Sequence, residues 1–103
     1  SLSPQTIQIL RDLNEPVSIT GFFTATDSRS SRLKDLLDEY RLYADQLTYR
    51  LIDLDARPAL ASEYGVESSG TLVLDQEGRR HITYAGRRRG RFATEADRSE
   101  GMA

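Results

Sequence analysis

Cysteine is absent from this chain. Disulfide scaffolding, thiol redox chemistry and cysteine-based zinc sites are therefore excluded. Tryptophan is also missing, and His81 is the sole histidine. A catalytic imidazole wants an orienting carboxylate and a nucleophile beside it, and the sequence around His81 supplies neither. A strand position facing solvent or a helix is expected for it instead. No apolar run approaches the ~20 residues needed to span a bilayer, and no secretory signal pattern is present. Neither sign of charge dominates. With 14 basic and 16 acidic residues the formal net charge is -2, which argues against bulk electrostatic binding to nucleic acid or anionic lipid. At 103 residues and 38% apolar composition, one small domain with a compact core and a heavily charged surface is expected. No phosphate loop, dinucleotide fingerprint or Ser–His–Asp pattern occurs.

What is present is organised around residues 51–78. Leu51, Ile52 and Leu54 form a branched apolar run suited to a strand, closed by the turn chemistry of Asp53 and Asp55. Pro58 fits the first position of a helix that carries Leu60, Ala61 and Tyr64 at helical spacing. Gly65 stands where a left-handed cap is wanted, and Val66 is placed to fold back on Ala61 or Leu60. Thr71, Leu72, Val73 and Leu74 make a buried strand, and Asp75-Gln76-Glu77-Gly78 reads as a type I turn with its glycine at the position needing positive φ.

Upstream, Ser3 caps a helix that Pro4 opens, Leu2 is placed to staple onto Ile7, and Ile7, Leu10 and Leu13 form its stripe until Asn14 and Pro16 end it. In the strand that follows, Val17, Ile19, Gly21 and Phe23 share one face and Ser18, Thr20 and Phe22 the other. Gly21 marks a close approach. After a polar loop, a helix over 32–44 capped by Ser30 or Ser31 presents Leu33, Leu36, Leu37, Tyr40 and Ala44 on one stripe. Residues 48–54 then return as a parallel strand. Tyr40, Tyr43 and Tyr49 are expected as core aromatics with their hydroxyls at the surface. Residues 79–84 form the last strand, with Ile82 and Tyr84 on one face, and an arginine-rich loop follows. Thr94-Glu95-Ala96-Asp97 reads as a capping box opening a final helix. Its apolar stripe is missing, so that helix is either rudimentary or continues past Ala103 in a longer chain.

The order α, β, α, β, α, β, β is an α/β architecture of thioredoxin type. It predicts a four-stranded mixed sheet in the order 2-1-3-4, flanked by helices, with the hairpin strands antiparallel to the first pair. Residues 1–97 make that domain and 98–103 a short tail. Asp53-Leu54-Asp55 through Tyr64-Gly65-Val66, then Thr71 to Leu74 and the Glu77-Gly78 turn, resemble the second half of a thioredoxin. Together with Leu2-Ser3-Pro4-Gln5-Thr6, Glu15-Pro16-Val17, Leu36-Leu37-Asp38-Glu39-Tyr40 and Pro58-Ala59-Leu60-Ala61, the ordered set is similar to the auxiliary proteins of ABC-2 type exporters, the gliding-motility GldG-like group. The resemblance implies a domain that follows an N-terminal transmembrane helix, lies on the extracytoplasmic (periplasmic) face of the cell membrane and works with an ABC permease and ATPase. It is consistent with a chain that opens on Ser1 without an initiator methionine and reads as a piece of a longer protein.

Catalytic thioredoxins carry Cys-x-x-Cys in the loop after the first strand of the βαβ unit and a cis-proline before the third strand. Here those places hold the thiol-free loop 24–30 and Gly70. A hydroxyl of ordinary acidity does not replace a thiolate. Thr24, Thr26, Asp27 and Ser28 lie at the carboxyl end of a strand beside a helix start, where open α/β sheets bind ligands. With Ser68, Ser69 and Gly70 they make either an ordinary capped loop or a groove whose backbone pairs with an extended peptide. Arg79, Arg80, Arg87, Arg88, Arg89 and Arg91 run without an intervening acid and read as a solvated edge or as a patch for phosphate or an acidic partner. Asp53 and Asp55 are expected in turn-forming roles, and no metal or cofactor is expected. The expected function is a non-catalytic interaction domain that binds ABC components or the rest of its own chain. The alternatives are a thiol-independent enzyme using loop 24–30 and Ser69, and an anion-capturing module using loop 87–91.

Overall fold

The computed structural model describes residues 2–86 and 92–94. Its element order is α1 (Pro4–Arg11), β1 (Val17–Phe23), α2 (Arg29–Arg41), β2 (Leu47–Asp53), α3 (Pro58–Glu63), β3 (Thr71–Gln76), β4 (Arg79–Ala85) and β5 (Phe92–Thr94). The sheet runs β2-β1-β3-β4-β5. Its first four strands stand in the predicted order, and β5 extends them by pairing with β4 through Thr83 and Thr94, Tyr84 and Ala93, and Ala85 and Phe92. β1 and β2 are parallel, as a helical crossover requires. β3 is antiparallel to β1 and β4 is antiparallel to β3. Only β3 therefore opposes the first pair, because a hairpin reverses direction between its own two strands. Thr94 of the expected capping box is the last residue of β5. The rest of that capping box, residues 95–97, lies outside the described residues.

The alternation read from β1 separates two cores. Phe23, Val17 and Ile19 pack with Leu72, Leu74 and Leu51 beneath α1 and α2, which supply Leu10, Leu33 and Leu37. Tyr40, Tyr43 and Tyr49 border this cluster. Gly21 belongs to the same face. A Cβ there would lie 3.0 Å from the Leu51 side chain and 3.3 Å from that of Leu72. On the opposite face Phe22 and Val73, both 0% exposed, pack against Ala61 and Val66 beneath α3. Phe23 and Val73 thus sit on neighbouring strands, on opposite sides of one sheet.

Local chemistry sets the helix ends. The Ser3 hydroxyl accepts the Thr6 N–H, with Pro4 in the first turn. Arg41 is the last residue of α2, three short of the expected boundary, and the helix starts three residues early, with Ser28 at its N-cap. The cause is Asp27, whose Oδ1 takes the Arg29 N–H at 3.0 Å and does the work expected of Ser30 or Ser31. Those two serines instead donate to the carbonyls of Asp27 and Ser28. At the end of α3, Val66 N–H donates to Ala61 C=O at 2.8 Å and Gly65 N–H to Ser62 C=O at 3.0 Å, with Gly65 at φ 71. This is the expected Schellman closure, completed by Val66 and Ala61 in one apolar cluster. Asp53 Oδ1 accepts from the N–H groups of Asp55 and Ala56, the turn role expected of it.

The β3–β4 turn differs from expectation. Gln76 pairs with Arg79, which leaves a two-residue loop, Glu77-Gly78, with φ values of 50 and 75. Positive φ at both positions is the type I′ signature, so Asp75 and Gln76 belong to the strand. Glu77 bears a β-carbon in a region that disfavours one. A hydrogen bond with Glu15 also raises its carboxyl above the usual range. Glu77→Asn creates the favoured Asn-Gly turn and removes that contact. It is expected to stabilise the domain, raising Tm by a few degrees in a thermal melt.

Candidate functional site

The carboxyl end of β1, the loop before β3 and the end of β4 converge on one side chain that the sequence reading passed over, Arg29 in the first turn of α2. Its Nε donates to Asp27 Oδ1 at 3.0 Å and its Nη2 to Asp27 Oδ2 at 2.7 Å, a forked pair. Nη2 also reaches the Ser69 C=O at 3.2 Å, and Nη1 donates to the Ala85 C=O at 2.9 Å. Ser69 Oγ donates to Asp27 Oδ2 at 2.6 Å and accepts the Thr24 N–H at 2.9 Å. One guanidinium therefore joins segments separated by 40 and 56 residues. The Arg29 and Asp27 side chains are 27% and 12% exposed, so water weakens the pair only partly.

Gly70 explains how the guanidinium fits. At φ 90 it turns its hydrogen toward Arg29, and a Cβ there would lie 2.6 Å from Nη2. Its N–H donates to the Phe22 C=O at 2.8 Å and its C=O accepts the Ala85 N–H at 2.7 Å. The groove that was the alternative to a capped loop at residues 24–28 and 68–70 is therefore restricted at Ser69 and Gly70. The Ser69 carbonyl and both Gly70 backbone groups are already used within the fold. The fold brings Thr24, Asp27, Ser69 and Gly70 together. Ser28 is the N-cap residue of α2, and Thr26 is exposed away from this network. Arg87, Arg88, Arg89 and Arg91 lie outside the described residues.

The two arginines of the basic run that are described are paired. Arg80 Nε donates to Asp75 Oδ1 at 2.8 Å, and its guanidinium lies 4.7 Å from the Tyr64 ring centre. Arg79 stands 3.8 Å from both Glu15 and Glu77. The acids missing from the run in sequence are supplied by the neighbouring strand and by turns. His81 is exposed on β4. Among the described residues no cluster of three or more acidic, histidine or cysteine side chains is placed to hold a metal. A cleft of about 440 Å³ lies elsewhere, between the end of α3 and β4, lined by Val66, Thr71, Ile82 and Tyr84 among others.

The fork from Arg29, with a further hydrogen bond from Ser69, holds the Asp27 carboxyl far below the usual carboxylate range, against the opposing effect of its burial. A depressed native value means that the unfolded chain binds the proton more tightly. The resulting stability is fully present above the unfolded pKa of roughly 4 and is lost as pH falls toward the native value. Asp27→Asn is therefore expected to cost stability at pH 7 and to flatten the acid limb. Its urea midpoint should change less between pH 5 and pH 2 than that of the parent chain.

A parallel β1–α2–β2 unit followed by α3 and a hairpin, with a turn before β3 facing the β1–α2 loop, defines a thioredoxin-like domain, here without cysteine. The family model described as a domain of unknown function, DUF7088, matches residues 1–86, and the chain belongs to that family. Solved structures agree on the fold. The NTD_N/C domain of the alkylhydroperoxide reductase AhpF from Enterococcus faecalis is 26% identical with a TM-score of 0.61, over 74% of this chain and 39% of that one. The chain thus spans well under half of that reductase fragment. The germline-specific thioredoxin Deadhead from Drosophila melanogaster is 22% identical with a TM-score of 0.56, over 95% of this chain and 86% of that one. The N-terminal domain of SasA from Synechococcus elongatus is 24% identical with a TM-score of 0.52, over 84% and 77%. No curated protein matches the chain in sequence.

Proposed function

We propose that this is a non-catalytic thioredoxin-like interaction domain. We further propose that it belongs to an extracytoplasmic, membrane-tethered accessory protein of an ABC-type exporter, and binds the permease or ATPase components or another part of its own chain. The observation that carries the first part is the Asp27–Arg29–Ser69 cluster. It fills the place where thioredoxins keep their reactive thiols. Its hydrogen-bonding groups are directed at one another and at the backbone, a pattern suited to holding loops together rather than to activating a nucleophile. Among the described residues no buried side-chain nitrogen or oxygen lacks a partner. The exporter setting is supported by the resemblance of the ordered segments from Leu2 to Val66.

Two measurements test this reading. In the insulin-reduction assay with dithiothreitol, the chain should give no rate above the blank. Measurable turnover would remove the non-catalytic part. The parent protein, tagged at its native level and cross-linked in its own membrane, should co-purify with an ABC permease or ATPase. Recovery without any ABC component would remove the exporter part.

A further inference from the structure

β2 is the edge strand of the sheet. Its register with β1, together with the Val17 N–H to Gln46 C=O and Leu54 N–H to Phe23 C=O bonds, points the even-numbered backbone groups of β2 inward. The odd-numbered groups face away from the sheet. At the two ends of the strand they are used locally, Leu47 N–H by Ala44 C=O and Asp53 C=O by Arg57 N–H. Between those ends the N–H groups of Tyr49, Leu51 and Asp53 and the C=O groups of Leu47, Tyr49 and Leu51 form a ladder with no protein partner among the described residues. Neither proline nor glycine interrupts it. Edge strands with an open ladder accept another strand unless something blocks them.

The side chains beside the ladder define what would fit. Tyr49 and Leu51 are half-buried on the α2 face. On the other face Arg50 is exposed but fixed. Its Nη2 donates to Tyr64 Oη at 2.8 Å, its Nε reaches Thr20 Oγ1 at 3.4 Å, and its guanidinium lies 5.8 Å from the Tyr64 ring centre. No carboxylate stands within ion-pair distance of it among the described residues. A second copy is a poor occupant. The free ladder is centred on Arg50, so antiparallel self-pairing that uses all of it sets Arg50 against Arg50 of the second copy.

We infer that the β2 edge is a strand-addition site for an extended polypeptide segment of alternating pattern, apolar residues lying along Tyr49 and Leu51 and a carboxylate beside Arg50. The inference rests on the interaction-domain reading and names the chemistry of its partner. It is tested on the 103-residue chain with a capped heptapeptide of alternating valine and glutamate, followed by amide hydrogen exchange and ¹⁵N NMR. The peptide should protect the Tyr49, Leu51 and Asp53 amides. Arg50→Glu should weaken it about tenfold and make the valine–lysine counterpart the better ligand. Leu51→Pro removes one outward N–H and no bond to β1, and should abolish binding while circular dichroism shows the fold retained. Absence of protection at those amides overturns the inference. So does equal binding of the lysine peptide, binding that survives Leu51→Pro, or a concentration-dependent dimer that protects the same amides without peptide. Insulin-reductase turnover would instead remove the non-catalytic reading and leave this one standing.

Discussion

Arg29→Ala is expected to lower the unfolding free energy by about 3 kcal/mol. The alanine deletes the forked pair with Asp27 and the donors to the Ser69 and Ala85 carbonyls in one step. What remains is a carboxylate that is 12% exposed in the intact pair, with Ser69 Oγ, the residue-29 amide and the water admitted by the shorter side chain to solvate it. Removing one partner of a largely buried ion pair costs about 3–5 kcal/mol, and the partial exposure of Arg29 places this case at the lower end. The measurement is a urea titration at pH 7, in which the midpoint falls while the slope stays unchanged. Arg29→Lys should recover less than half of the loss, because an ammonium reaches Asp27 without spanning to both carbonyls. A variant as stable as the parent would show that the guanidinium is not the junction described above.

The second large effect is expected at Gly70. Gly70→Ala puts a β-carbon 2.6 Å from Arg29 Nη2 in a backbone conformation, φ 90, that side chains seldom adopt. Either Arg29 leaves its acceptors or the loop before β3 shifts, and a cost of about 2–3 kcal/mol follows. The two substitutions share one cause and are not additive. In the Arg29→Ala background the Gly70→Ala cost should fall to the backbone strain alone, about 1 kcal/mol. A double-mutant cycle of urea midpoints reads this directly, and additive losses would separate the glycine from the arginine.

Much of the fold was legible because its determinants are local. Alternation in β1 placed Phe22 and Phe23 on opposite faces, and the Tyr64-Gly65-Val66 sequence carried the closure of α3 within three residues. The errors arose where two local readings competed. Asp75-Gln76-Glu77-Gly78 fits a four-residue turn as well as a two-residue one, and the cross-strand pairing of Gln76 with Arg79 decided between them. Ser30 and Ser31 are good caps, but Asp27 reached the α2 amide first. The site was legible only in its periphery. Thr24, Asp27, Ser69 and Gly70 were named from their places in the topology. Arg29 was not, because two of its three partners, Ser69 and Ala85, meet it only in the folded chain. An acid and an arginine two residues apart at a strand-to-helix junction, opposite a glycine before the next strand, was the available signal.

Arg29 also sets a condition on the order in which the chain becomes secure. A nascent polypeptide that has left the ribosome only through β2 already holds Asp27 to steady the guanidinium. Ser69 and the Ala85 carbonyl arrive later, when the hairpin emerges. The amino-terminal half then has its β1–α2–β2 unit but lacks β3, which supplies Leu72, Val73 and Leu74 to the two cores, and it is exposed to proteolysis and misassociation for the time that about thirty further residues take to be synthesised. Synthesis ends that interval at the end of β4, when the Ala85 carbonyl joins that of Ser69 on the guanidinium.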